Sequence, residues 1–381
     1  MNWSWQLCSV RGIKIKIHVT FLLIIPWAAY NWGSVSGYGL SGALFGIAIT
    51  GIIFFCVVLH ELAHSLVATH YGVRVREIEL SPIGGLAKME SMPKKPYQEF
   101  VMALIGPLVN LVIAVPLGWI VLVLVASRSI MSFGHLLYLM NRPSWQGLVL
   151  NLFASNVVLG LFNLLPAFPM DGGRVLRSVL AWRLGQRQAT RVAARVGQGV
   201  ATILALTGLF TGNLMLVFIA VFVFAMAQQE ERLAEFQAVL GDLPVRKAVI
   251  TASGTLSPDD RLAAALEFAM HGHPACLAVI EDERLVGVLT SADIRAALEA
   301  YGRQVRIGEI MRREFPTASP TDTLAQAHQL MATSGLRALP VVEADRFLGV
   351  VTARQIGEIY HFLSVKEPAR ETKGEGPFSS R

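Results

Sequence analysis

Gly51-Ile52-Ile53-Phe54-Phe55-Cys56-Val57-Val58-Leu59-His60-Glu61-Leu62-Ala63-His64 ends an apolar run that begins at Gly42 and carries no charge before its last five residues. On a helix, His60 and His64 are four residues apart and project from one face, where two imidazoles can grip one metal ion. Glu61 stands beside them, able to take a proton from a water that the ion activates. Ionisable groups inside an apolar span are costly and are usually kept for a function. The stretch therefore reads as a hydrolytic zinc centre on a membrane-spanning helix. The competing reading is an ordinary helix end facing a headgroup layer.

The rest of the composition agrees with a membrane setting. Of 381 residues, 53% are hydrophobic and 16% charged, and the mean hydropathy is +0.51, too apolar for an ordinary soluble chain. Residues 1–244 hold 17 Lys/Arg against 10 Asp/Glu, whereas residues 245–363 hold 12 against 14. The basic excess belongs to the apolar half, where it orients a membrane chain, and nucleic acid is not an expected partner. Cys8, Cys56 and Cys276 have no paired spacing and argue against both a disulfide scaffold and a Cys-based metal site. The stretch Met1 to Thr20 lacks a cleavage site after an apolar core, so no removable signal is expected.

Apolar stretches of spanning or near-spanning length fall at 18–32, 41–70, 99–126, 148–165, 197–211 and 214–228. Thr211-Gly212-Asn213 separates the last two as a tight hairpin. With the amino terminus in the cytoplasm, fourteen Lys/Arg residues fall in inside connections, and only Arg128 and Arg142 fall outside. That asymmetry puts both ends of the membrane domain in the cytoplasm. The His60–His64 segment then lies toward the inner leaflet, within reach of cytoplasmic water.

A catalytic zinc needs three protein ligands and an open position. The candidate third ligand is Asp171 in Asn163-Leu164-Leu165-Pro166-Ala167-Phe168-Pro169-Met170-Asp171-Gly172-Gly173. Pro166 and Pro169 break the fourth span, and the glycines allow close backbone approach. The alternative for Asp171 is a solvated aspartate in a turn. His70 is read as an interfacial side chain reaching water and Cys56 as a packed thiol. Residues 77–89 alternate polar and apolar types around Gly84-Gly85, a hairpin signal whose alternative is a plain loop.

Beyond residue 230 the character changes. Glu230, Glu231, Arg232 and Glu235 open a short polar linker helix over 231–244, ended by Gly241-Asp242-Leu243-Pro244. Residues 245–363 contain an internal repeat: Ser257-Pro258-Asp259-Asp260 recurs as Ser319-Pro320-Thr321-Asp322, and Leu285-Val286-Gly287-Val288 as Phe347-Leu348-Gly349-Val350. Each half reads β-α-β-β-α, and the two bury surface against each other. The tail over 364–381 is polar and expected to be disordered.

Three motifs in the first half, His60-Glu61-x-x-His64, Gly106-Pro107-x-x-Asn110 and the Asn163 to Gly173 segment, occur in one order and resemble the site-2 protease family of intramembrane zinc metalloproteases. The resemblance covers most of residues 10–230. It implies His60, His64 and Asp171 as zinc ligands and Glu61 as general base and acid. It also implies that Asn163 binds the developing oxyanion or orients the substrate carbonyl; the alternative is an amide capping the broken backbone. The hairpin then presents an edge to which an extended substrate segment adds as a strand. The repeat resembles a pair of cystathionine β-synthase (CBS) domains, which often bind adenine nucleotides. Thr290 and Asp293 match that family's ribose-binding pair, but Gln355 stands where the second repeat should have its aspartate. A purely structural or dimerising module is the alternative.

The expected architecture is a polytopic all-α membrane domain of about six spans with a small β-hairpin insertion, followed by an α/β CBS-pair domain. Residues 1–230 form the metalloprotease domain, 231–244 the linker helix and 245–363 the tandem regulatory domain. The expected function is zinc-dependent cleavage of a single-span membrane protein near the cytoplasmic face. ATP, ADP or AMP at the CBS pair would regulate it, and the CBS pair could also form a homodimer. The expected setting is a bacterial or archaeal cell membrane, with the amino terminus and CBS domain cytoplasmic. The rivals are a CBS-regulated metal-ion transporter and a non-catalytic scaffold that binds membrane proteins.

Overall fold

The computed structural model describes residues 4–365 apart from residues 83, 90–94, 128, 131, 252–253 and 271–275. Most of the polar tail, from residue 366 on, lies outside the described residues. The chain divides into two compact units at Arg232 and Leu233.

The first unit opens with two strands, β1 (Ser4–Val10) and β2 (Ile13–His18), joined through Arg11 and Gly12 at φ 49° and 85°. A two-residue turn with both φ angles positive matches the twist of an antiparallel pair. After short helical turns over 19–35 that include α1 (Ile24–Tyr30) comes the long α2 (Gly39–His70). Then β3 (Val75–Ser81) and β4 (Gly84–Met89) form the expected hairpin. The hairpin is half of a larger sheet, ordered β1-β2-β3-β4, in which β2 and β3 run parallel. Ile13 and Ile15 fill its buried side, while Lys16 and Lys88 both pair with Glu77. These two ammonium groups hold the Glu77 carboxyl below the usual carboxylate range.

The helices that follow are α3 (Pro96–Ala126), α4 (Phe133–Met140), α5 (Trp145–Asn163), α6 (Asp171–Leu184), α7 (Gln186–Thr211) and α8 (Leu214–Leu240). Among the described residues, α2, α3, α5, α7 and α8 are long and apolar enough to cross a membrane, and Val19–Val35 is a shorter apolar stretch. This five-plus-one pattern corresponds to the six apolar stretches read from the sequence. The short stretch packs on α2 at Gly46, where a Cβ would come within 2.6 Å of the Ala28 carbonyl oxygen. Small residues permit such backbone contact in membrane helices. Gly212 ends α7 in the left-handed region at φ 68°, and the Asn213 side chain accepts from the Leu216 N–H at 3.2 Å. Helix α8 runs without a break through Glu230 to Leu240, so the polar linker helix is the continuation of the last span. Nothing in Glu230-Glu231-Arg232 interrupts a helix, since these residues are good helix formers.

In the second unit, β5 (Thr255–Leu256), α9 (Leu262–Met270), β6 (Cys276–Glu281), β7 (Arg284–Thr290) and α10 (Ser291–Tyr301) make the first repeat. After the short α11 (Ile307–Ile310), the second repeat supplies α12 (Leu324–Ser334), β8 (Ala338–Glu343), β9 (Arg346–Thr352) and α13 (Ala353–Val365). Its opening strand is reduced to a parallel bridge between Ala318 and Val341. The sheet order is β5-β6-β7-β9-β8. Each repeat has its own apolar core, one around Leu262, Val279 and Leu289 and the other around Leu324, Val341 and Ile356.

Candidate metal centre

The turn of α2 at His60 and His64 faces α3 and the start of α6. His60 Nε2 and His64 Nε2 lie 3.1 Å apart, and Asp171 Oδ2 is 3.2 Å from the first and 3.1 Å from the second. Among the described residues this is the one group of three or more potential ligands gathered around a common point. Three ligands bonded at ~2.0–2.2 Å with tetrahedral angles lie about 3.3 Å apart. The observed triangle therefore fits a zinc ion, and two imidazoles with one carboxylate are a donor set that zinc accepts.

Both histidines are buried, and their outward nitrogens are already committed. His64 Nδ1 lies 2.6 Å from the Met102 carbonyl oxygen, and His60 Nδ1 lies 2.6 Å from Asn110 Oδ1. A proton on Nδ1 in each case leaves Nε2 with a lone pair for a metal. Close approach of α3 makes this possible. A Cβ at Gly106 would stand 2.2 Å from His64 Nε2 and 2.7 Å from His60 Nε2, so only glycine leaves the space open.

Asp171 is the first residue of α6, after the turn that includes Pro166 and Pro169. A buried cation clamps this helix. Arg177 Nε donates to Glu99 Oε1 on α3 at 2.7 Å, and Arg177 Nη1 donates to Glu230 on α8. Its guanidinium lies 5.3 Å from the centroid of the Phe168 ring in the turn before Asp171. Neither Glu99 nor Arg177 stands out in sequence, because Glu99 follows the polar stretch Lys94-Lys95-Pro96-Tyr97-Gln98 and reads as an ordinary helix start.

Glu61 lies next to the histidine pair and against the hairpin. A Cβ at Gly85 would come within 2.5 Å of Glu61 Cγ, so the backbone of the edge strand β4 runs directly past the carboxylate. Asn163 closes α5, and its Nδ2 donates to the Leu159 carbonyl oxygen at 2.9 Å. Its amide is thus turned back on its own helix. Asn110, quoted in the sequence only as part of a motif, is the partner of His60.

In the second unit, Thr290 and Asp293 form a capping box at the start of α10. Asp293 Oδ2 accepts from the Thr290 N–H at 3.0 Å and from its hydroxyl at 2.7 Å, while Oδ1 accepts from Arg312 Nη2 at 2.7 Å. Burial opposes ionisation of this carboxyl, but the Arg312 and Thr290 hydrogen bonds outweigh it and hold it below the usual range. Gln355 makes the same cap with Thr352 at 3.1 Å, so a neutral amide serves the structural part of the role. A separate cleft of about 500 Å³ is lined by Thr255, Ser257, Asp260, Glu283, Arg346 and Phe347.

Residues 48–207 match Peptidase family M50, and residues 240–300 and 307–359 match the CBS domain. The chain is 30% identical over 375 residues to "Zinc metalloprotease MJ0392" of Methanocaldococcus jannaschii, spanning 97% of this chain and 100% of that protein. Over 132 residues it is 30% identical to "CBS domain-containing protein YhcV" of Bacillus subtilis, which covers 34% of this chain and 89% of that protein. A solved structure titled "Site-2 Protease from Methanocaldococcus jannaschii" is 36% identical, covers 60% of this chain and 96% of its own, and has a TM-score of 0.41.

Proposed function

Since this chain belongs to peptidase family M50, the site-2 protease family of zinc metalloproteases, and carries a CBS pair, we propose that it hydrolyses a peptide bond within a transmembrane segment of another protein. The observation that carries this reading is the convergence of His60 and His64, on the apolar α2, with Asp171, at the start of α6, to within 3.2 Å of one another, with Glu61 beside them. In this reading His60, His64 and Asp171 hold zinc. When bound, zinc supplies a Lewis acid that polarises the scissile carbonyl and makes a water nucleophilic near neutral pH.

The remaining work falls to side chains of this chain. Glu61 takes the proton of the attacking water and delivers it to the leaving amine. Asn163 offers its amide N–H to the carbonyl oxygen as charge grows there, which requires it to turn away from Leu159. The free edge of β4 pairs with the substrate, drawing a helical segment into extended form so that its peptide bonds are exposed. The proximity of β4 to Glu61 supports that docking direction.

Residues 1–230 act as the protease and 245–363 as its regulator. The positive charges of the connections support a cytoplasmic amino terminus and CBS pair, with cleavage near the cytoplasmic face. Adenine nucleotide at the CBS pair biases the enzyme between states of different substrate access, which requires unequal affinity for those states. The test is hydrolysis of a single-span membrane protein in vesicles containing the purified chain. Activity should vanish with a chelator, return with zinc and be absent from Glu61→Gln. Cleavage that survives zinc removal would reject the reading.

A further inference from the structure

His64 and His60 solve the same problem in different ways. Each must carry its proton on Nδ1 so that Nε2 is free for metal, and the acceptor at Nδ1 decides this. For His64 that acceptor is the Met102 carbonyl oxygen, which cannot donate. For His60 it is the side chain of Asn110. A primary amide has an acceptor end and a donor end of nearly the same shape. Turned over, Asn110 would present N–H groups to His60 and favour the tautomer with its lone pair on Nδ1.

A second amide removes that ambiguity. Asn110 Nδ2 donates to Asn156 Oδ1 at 3.0 Å, and Asn156 Nδ2 donates to the Leu152 carbonyl oxygen at 2.9 Å, with Cys56 Sγ at 3.5 Å. Asn110 and Asn156 are both fully buried, so water cannot replace a misdirected partner. The backbone carbonyl of Leu152 only accepts. Asn156 must therefore turn its NH2 toward Leu152 and its oxygen toward Asn110. Asn110 must then turn its oxygen toward His60. The chain from Leu152 to His60 has one orientation in which every buried donor meets an acceptor. Asn151 and Asn163 also donate to carbonyls four residues back on α5. What sets Asn156 apart is that its oxygen faces the amide behind His60.

We propose that Asn156 is a positioning residue of the metal centre, which fixes the tautomer of His60 through Asn110 and so prepares Nε2 to bind zinc. The proposal rests on the reading of His60 as a zinc ligand.

The test measures zinc affinity of the full-length chain in detergent by competition with a chelator, together with the visible spectrum of the cobalt-substituted protein. Asn156→Leu, close in size, should weaken zinc binding on the order of 10-fold or more, as loss of an outer hydrogen-bond partner does. In an Asn110→Leu background the same substitution should cost little further. Asn156→Asp keeps an acceptor toward Asn110 in either protonation state and should hold zinc within about 3-fold of the wild type, with an unchanged cobalt spectrum. Asn156→Ala replaces Asn156→Leu if the latter does not fold. An unchanged affinity in Asn156→Leu would overturn the proposal. So would equal losses in the Leu and Asp variants, or equal costs with and without Asn110. Zinc binding unaffected by His60→Ala would instead overturn the ligand assignment, and this proposal with it.

Discussion

At the scale of single residues, each member of the proposed metal centre is assigned a separable role. Glu61→Gln keeps the shape beside His60 and His64 but removes the carboxylate proposed as the base. Zinc content should stay the same while cleavage falls on the order of 10²–10⁴-fold, measured by metal analysis and product formation. Asp171→Ala should lower zinc occupancy; an unchanged occupancy would remove it from the ligand set. Gly106→Ala drives a methyl into the space between the imidazoles and should abolish zinc binding while the helices persist by circular dichroism. The sequence displayed His60, Glu61, His64 and Asp171 because their types and spacing carry the chemistry. It did not display the roles of Asn110 and Asn156, because an asparagine on an apolar helix looks the same whether it caps a backbone or orients a ligand. Thr290 and Asp293 were legible as a pair, but their spacing also suits a helix cap, and the capping box is the geometry formed.

At the scale of elements, the helix order and the tight α7–α8 turn were legible, as was the β3–β4 hairpin. The two amino-terminal strands were missed, although Ile13-Lys14-Ile15-Lys16-Ile17 alternates in a strand pattern. Strand β2 pairs locally with β1 through the Arg11-Gly12 turn, but its other partner, β3, is about sixty residues away in sequence, where no local pattern reveals it. The Arg177 clamp was hidden for the same reason. Arg177→Met leaves Glu99 buried without its cationic partner and should destabilise the first unit by ~3–5 kcal/mol, read as a lower melting temperature. Of the neighbouring residues Leu86 and Ala87 on the edge strand β4, one directs its N–H away from β3. Proline there should cut substrate cleavage with zinc retained, and proline at its neighbour should disrupt the hairpin itself. In the second unit, the ionised form of Asp293 favours the fold. Its contribution is complete above the ordinary aspartate value of ~3.9 and is lost as pH falls through the lowered folded value. The melting temperature of the CBS transition should therefore drop on acidification, and Asp293→Asn should flatten that acid limb.

At the scale of the whole molecule, a zinc metalloprotease of family M50 is joined to a tandem CBS module by a helix that begins as a membrane span. The amino-acid pattern revealed this division through the change of hydropathy after residue 230 and the 62-residue repeat offset. Periodicity cannot reveal what the module senses, because the same fold serves binding and dimerisation. If adenine nucleotide regulates the enzyme, AMP, ADP or ATP should raise the melting temperature of the chain and change its cleavage rate together. A nucleotide that alters neither would leave the module a structural one. The most direct measurement compares the membrane proteins of cells making this chain with those of cells making Glu61→Gln. A single-span protein should be cut within its span by the wild type and should accumulate intact, bound to the zinc-loaded variant. Identical membrane protein patterns from the two cells, with zinc present in both forms, would contradict it.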